Sequence, residues 1–133
     1  MRYMLDTNIC IYIAKRNPPK VSARFARLAP GDVGMSVVTY GELRFGAEKS
    51  ARSEAALRSL EDFIEAVPVL TFDKEAAANY GRLRFDLERR GQPVGNNDLW
   101  IASHCLQLGL TLVTNNEREF SRIPNLPIEN WTH

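Results

Sequence analysis

Arg2-Tyr3-Met4-Leu5-Asp6-Thr7-Asn8 is the stretch on which the fold turns. An apolar run from Tyr3 to Leu5 stops on Asp6, a poor strand residue, and Thr7 and Asn8 follow as good helix caps. The pattern predicts a buried strand that hands over to a helix near Ile9. A parallel strand covered on both faces shows a continuous apolar run rather than alternation. Ligands of open α/β sheets bind beyond the carboxyl ends of the strands, so Asp6 falls where such a fold does its chemistry. A plain capping role explains Asp6 equally well.

Outward from this stretch, strand and helix patterns alternate. Ile9 to Lys15 reads as a short helix, and a second follows Asn17-Pro18, with Pro18 in its first turn and Val21, Phe25 and Leu28 on one face. Pro30-Gly31-Asp32 is a turn, and Val33 to Val38 a second strand. Thr39-Tyr40-Gly41-Glu42 fits the capping box T-x-x-E of a third helix, which by itself accounts for Glu42. Ser53 to Ala66 is an amphipathic helix, and Val67 to Phe72 a third strand, placed by Pro68 at an edge or with a late start. Asp73 caps a long helix to about Arg90, with Ala77, Tyr80, Leu83 and Leu87 as its buried stripe. After the loop Gly91 to Gly95, Asn96 and Asn97 are cap candidates for a helix apolar around most of its circumference, with Asp98 in its first turn. Gly109 ends that helix, Leu110 to Thr114 is a fourth strand, Asn115 to Phe120 turns into a short helix, and Leu126 to Glu129 is a candidate last strand. This order predicts an α/β fold of three layers, α/β/α, around a central, mostly parallel sheet of four or five strands, in a single domain over residues 1–133.

The bulk numbers fit that picture. Hydrophobic residues make up 44% and charged residues 25%, the profile of an ordinary globular domain. A formal net charge of +1 excludes a strongly basic nucleic-acid binder but leaves room for a local basic patch. Two cysteines in apolar helical contexts, Cys10 and Cys105, give neither a disulfide scaffold nor a zinc knuckle. No apolar stretch approaches the roughly 20 residues of a membrane span, and Asp6 interrupts any signal-peptide core, so the cytoplasm is the expected compartment.

In a parallel sheet all strand ends point one way, so Asp6, Glu42, Asp98, Asn116 and Glu119 converge on one edge. Carboxylates so close repel, and at least one pKa must rise strongly unless a cation is present. Only oxygen ligands are on offer, which suits Mg²⁺, or Mn²⁺ in its place, rather than Zn²⁺. His104 reads as a packed or hydrogen-bonded helix residue. The chemistry implied is phosphodiester hydrolysis.

Met4-Leu5-Asp6-Thr7-Asn8, Glu42 within Thr39 to Leu43, Gly95-Asn96-Asn97-Asp98-Leu99-Trp100-Ile101-Ala102 and Thr114 to Phe120 together resemble the PIN-domain ribonucleases, and most closely the VapC-type toxins of bacterial type II toxin–antitoxin pairs. The resemblance spans essentially the whole chain, including Glu129-Asn130-Trp131. It implies a Mg²⁺-dependent endoribonuclease that cleaves a tRNA or rRNA loop and is neutralised by a cognate VapB-type antitoxin, with a homodimer and a toxin–antitoxin hetero-oligomer as assemblies. Carried over by position, Asp6, Glu42 and Asp98 hold the metal. Many PIN domains place an aspartate after the fourth strand, where this chain has Asn115-Asn116; either the Asn116 carbonyl or Glu119 completes the site, with Glu119 acting through a water. Thr7 and Asn8 are expected to hold Asp6 by hydrogen bonding. Lys15, Arg16, Arg44, Lys49 and Arg52, with Arg82 and Arg89 behind them, are candidates for gripping RNA, though each alone reads as surface charge. The antitoxin is expected to lay an apolar anchor along the early helices and to project an Arg toward the carboxylates.

Other readings remain. An aspartyl phosphoryl-transfer hydrolase usually shows a second aspartate two residues on, where this chain has Asn8. A receiver-type signalling domain wants a late lysine, and none follows Lys74. A catalytically dead PIN-fold binding module is opposed by the intact Asp6, Glu42 and Asp98.

Overall fold

The computed structural model describes all 133 residues. Its strands are β1 (Tyr3–Leu5), β2 (Val33–Ser36), β3 (Val69–Leu70), β4 (Thr111–Val113) and β5 (Ile128–Glu129). They pair in the order β3-β2-β1-β4-β5, every pair parallel. The helices are α1 (Thr7–Lys15), α2 (Pro19–Ala26), α3 (Val37–Glu48), α4 (Ser53–Ala66), α5 (Lys74–Arg89), α6 (Asn96–Leu108) and α7 (Glu117–Phe120).

The apolar run of β1 serves two cores at once. Tyr3 and Leu5 join Ile9, Val33, Met35, Val113 and Trp131 on one face, while Met4 joins Leu99, Ile101, Cys105, Leu112 and Phe120 on the other. That is the three-layer arrangement, and it is why β1 shows no alternation. The chain builds β1, β2 and β3 outward to one edge, then returns through α5 and α6 to place β4 on the far side of β1. The order in which strands are added therefore reverses between β1 and β4, which opens the crevice where such folds take their ligands. No helix is long and apolar enough to cross a membrane.

The structure moves several boundaries. The second strand stops at Ser36 rather than Val38, because the Ser36 hydroxyl accepts from Val38 N–H and caps α3 at Val37. Thr39 is then a buried residue inside the helix, and the expected capping box with Glu42 does not form. Pro18 is the N-cap of α2 and Pro19 its first residue. In the third strand only Val69–Leu70 pair, at the sheet edge and after Pro68. The fourth strand is Thr111–Val113 and the fifth Ile128–Glu129, each shorter than the apolar run that marks it. Asp73 caps α5 through Ala76 N–H, but the buried alanine is Ala76, with Ala77 exposed. Gly95, not an asparagine side chain, precedes α6 as its N-cap. Six consecutive or near-consecutive buried residues from Leu99 to Cys105 make α6 the most deeply embedded helix.

Candidate active site

Asp6 ends β1 and caps α1, so the capping role and a place at the sheet's carboxyl edge are one position. Its carboxylate is 5% exposed and accepts from Thr7 N–H at 2.7 Å through one oxygen and from Thr114 Oγ1 at 2.7 Å through the other. Burial raises its pKa above the ordinary carboxylate range, the two hydrogen bonds oppose the rise, and Glu42 and Glu119 add to it. Thr114 in turn accepts from Asn116 N–H at 3.0 Å, so the turn after β4 steadies Asp6 through one hydroxyl.

Thr114 is a site residue that the sequence alone does not single out, and its signal lies in the pairing. Leu5 is opposite Val113, so the next residues of the two strands, Asp6 and Thr114, must meet. Of the two residues expected to hold Asp6, Thr7 does so by its backbone N–H, while its hydroxyl goes elsewhere; Asn8 is exposed.

The Thr7 hydroxyl donates to Glu42 Oε1 at 2.6 Å, with Thr39 Oγ1 at 3.3 Å. The other Glu42 oxygen takes Asn97 Nδ2 at 3.4 Å. Glu42 thus links α1, α3 and the first turn of α6 instead of capping its own helix.

Asp98, half-buried in that first turn, has its pKa pushed up to about 7 by desolvation and then by the charges of Asp6, Glu119 and Glu42. No hydrogen bond offsets these effects. Glu119 reaches back across the site, accepting from Gly95 N–H at 2.5 Å and from Asn116 Nδ2 at 3.2 Å. Asn116 therefore presents its amide N–H group to Glu119.

The four carboxylates sit within electrostatic reach of one another, and their donor set is all oxygen. That chemistry fits a hard divalent cation, since such an ion removes the repulsion that raises Asp98. As the side chains stand, no three His, Cys, Asp or Glu groups come close enough together to grip one ion. Glu42 and Glu119 are each drawn aside by their own hydrogen bonds, and closing on a cation requires those bonds to yield.

The basic candidates are dispersed. Arg44 pairs with Glu48 at 2.8 Å, Lys49 lies over the Phe45 ring, Arg89 pairs with Asp86 and Arg82 with Asn79. Arg16 caps α1 in a left-handed conformation, and Arg52 caps α4. Lys15 alone of the candidates shares a groove with Thr7 and Glu42. That groove, about 510 Å³, runs between α1, α3 and α4 and is lined by Ile11, Leu43, Gly46, Leu60 and Phe63 among others. His104 is fully buried, held between Ser36 Oγ and the Thr71 carbonyl, as expected of a packed helix histidine.

A PIN domain model matches residues 3–126. Ribonuclease VapC1 of Haemophilus influenzae (strain R2866) is 44% identical over 133 residues, 99% of each chain. The tRNA(fMet)-specific endonuclease VapC of Shigella flexneri is 45% identical over 132 residues, again 99% of each. Among solved structures, VapBC-1 from nontypeable Haemophilus influenzae matches with a TM-score of 0.92 at 43% identity over 100% of both chains. DNA-bound VapBC from Salmonella typhimurium matches with a TM-score of 0.92 at 44% identity over 98% of both.

Proposed function

From the premise that the chain belongs to the VapC branch of the PIN-domain family, we propose that it is a divalent-metal-dependent endoribonuclease toxin of the cytoplasm, restrained by a VapB-type antitoxin. The observation that carries the reading is the convergence of Asp6, Glu42, Asp98 and Glu119 beyond the β1–β4 crevice, with Asp98 raised to about 7. A structural role leaves that repulsion unexplained.

Asp6, Asp98 and Glu42 are the residues that would hold Mg²⁺, or Mn²⁺ in its place. When bound, the ion supplies charge neutralisation at the scissile phosphate and a lowered pKa for the attacking water. The chain's own contribution is orientation. Thr7 N–H and Thr114 Oγ1 fix both oxygens of Asp6, and Thr7 Oγ1 with Asn97 fixes Glu42. Glu119, anchored on Gly95 and Asn116, is the candidate to take the proton of the water that adds to phosphorus as the P–O bond breaks. Two of the relatives are named tRNA(fMet)-specific, and a structured tRNA is the substrate class we propose here.

The groove beside Glu42 supplies the partner reading. It is mostly apolar yet has Thr7 and Glu42 on its wall, so an apolar antitoxin segment seated there can extend a guanidinium onto the carboxylates. Sequencing of RNA 5′ ends after induction of wild type and Asp6→Asn tests the function. Discrete ends absent from Asp6→Asn are expected; identical ends in both overturn the reading.

A further inference from the structure

Between Asp6 and Asp32 the chain carries five cations, Lys15, Arg16, Lys20, Arg24 and Arg27, and no carboxylate. Three of them, Lys20, Arg24 and Arg27, follow at four- and three-residue spacing and so share one face of α2 and its C-cap. They line a cleft of about 290 Å³ together with Asn130, Trp131 and His133 from the end of the chain. Beneath it the Tyr3 hydroxyl receives two guanidinium groups, Arg2 at 2.8 Å and Arg24 at 3.4 Å. Glu129 is the one carboxylate paired with this cluster, and its Oε1 already takes Arg24 at 3.1 Å and Trp131 Nε1 at 3.0 Å. Lys20 and Arg27 are exposed and stand in none of the chain's six ion pairs. Like charges gathered on one helix face repel, and an anion in the cleft removes that cost. In a chain of formal net charge +1, this is a marked local excess.

The cleft borders the short helix that carries Glu119. Glu117 accepts from Asn130 Nδ2 at 3.2 Å and lies 3.5 Å from His133 Nε2, and two residues on in the same short helix is Glu119. We propose that this cleft binds backbone phosphates of the RNA flanking the scissile bond, with Lys20, Arg24 and Arg27 as the contacts. The proposal deepens the ribonuclease reading and rests on it for the identity of the polynucleotide. These positions lie outside the basic set that the sequence suggests, and they act by charge, with no base readout.

The test measures Kd for a structured tRNA across a salt series, with cleavage blocked by Asp6→Asn. Lys20→Ala/Arg27→Ala in that background is expected to raise Kd at least tenfold at low salt. The slope of log Kd against log salt should fall by about 0.7–0.9 for each phosphate that is no longer neutralised. Arg58→Ala/Lys74→Ala, which removes two exposed cations on α4 and α5, is the charge-matched control and leaves both unchanged. A parallel loss on duplex DNA of the same length supports backbone recognition without regard to sugar; a loss on RNA alone supports an RNA-fitted cleft. An unchanged RNA Kd and slope overturns the proposal, as does unchanged RNA binding with loss of antitoxin association, which makes the patch a protein interface. If wild type cleaves no RNA, the nuclease reading fails on its own, while the salt slopes still report on the cleft. Circular-dichroism melts confirm that each variant is folded.

Discussion

Thr114 Oγ1 donates a 2.7 Å hydrogen bond to Asp6 Oδ2 at the seam between β4 and β1, joining residues 108 positions apart. The same oxygen accepts from Asn116 N–H, so removing it strips Asp6 of a donor and leaves a backbone group without its acceptor. Thr114→Val keeps the shape and loses both bonds. We expect about 1–3 kcal/mol of destabilisation, a further rise in the Asp6 pKa, and activity that falls at least tenfold at limiting Mg²⁺ but recovers in part at high Mg²⁺. Thr114→Ser should stay near wild type. Metal titration of cleavage, read beside thermal melts, decides it; equal metal dependence in Thr114→Val and wild type removes the hydroxyl from the site.

Asp98 makes stability depend on pH. Its pKa is about 7 in the folded chain against an ordinary 3.8, so between those values the folded state keeps a proton that the unfolded state has released. Without metal, stability therefore declines as pH rises from about 4 to about 7 and is level above that. Asp98→Asn should flatten the decline and melt higher than wild type at pH 8 in EDTA. Solvent screening at this half-exposed position holds the gain to the order of 1 kcal/mol. Mg²⁺ should reverse the order, stabilising wild type by about 2.7 kcal/mol at a hundredfold excess over Kd and leaving Asp98→Asn nearly unmoved. A wild-type melting temperature indifferent to both pH and Mg²⁺ would mean that these carboxylates do not form one charge cluster.

Glu42→Gln separates charge from hydrogen bonding. A glutamine can still accept from Thr7 Oγ1 and span α1 to α3, so the melting temperature should barely move. Activity should drop by two orders of magnitude or more if the negative charge is what the site uses. Thr7→Val, by contrast, leaves the charge and frees the side chain, and should cost about tenfold. Near-wild-type cleavage by Glu42→Gln would make Glu42 a structural bridge.

Much of the fold was legible because burial on both faces leaves a simple mark. Tyr3-Met4-Leu5 and Leu112-Val113 read as strand because each of these residues feeds one of two cores. The carboxyl edge followed, and with it Asp6 and Asp98. What the one-dimensional pattern hid was the partition of β-branched residues between strand and helix. Val37 and Val38 extend the apparent strand, and the Ser36 cap, a local bond to Val38 N–H that the apolar run masks, turns them into α3. That one shift dissolves the capping box and changes what Glu42 does. Thr114 was hidden for a different reason: as a strand-end threonine it looks ordinary until β4 is laid beside β1. The basic face of α2 lies outside the cations that the sequence singles out, and its meeting with Asn130 and His133 needed the chain's end brought back across the sheet.

The groove between α1, α3 and α4 allows inhibition to be separated from catalysis at Gly46. This glycine lies within α3, lines the groove, and has open space where a Cβ would project. Gly46→Ala should therefore stabilise the chain by up to about 1 kcal/mol, since alanine restricts the unfolded backbone and suits a helix better. It should leave cleavage and antitoxin control intact. Gly46→Trp has room to enter the groove from the same position and should occupy the space proposed for the antitoxin. Cleavage by the free toxin is then unchanged, while the antitoxin concentration needed for half-inhibition rises by tenfold or more. The two variants make the measurement selective, because a general disturbance of α3 would move Glu42 and cost activity in both. If the antitoxin inhibits Gly46→Trp as tightly as wild type, its anchor lies elsewhere on the molecule, and an arginine reaching Asp6, Glu42 and Asp98 must arrive by another path.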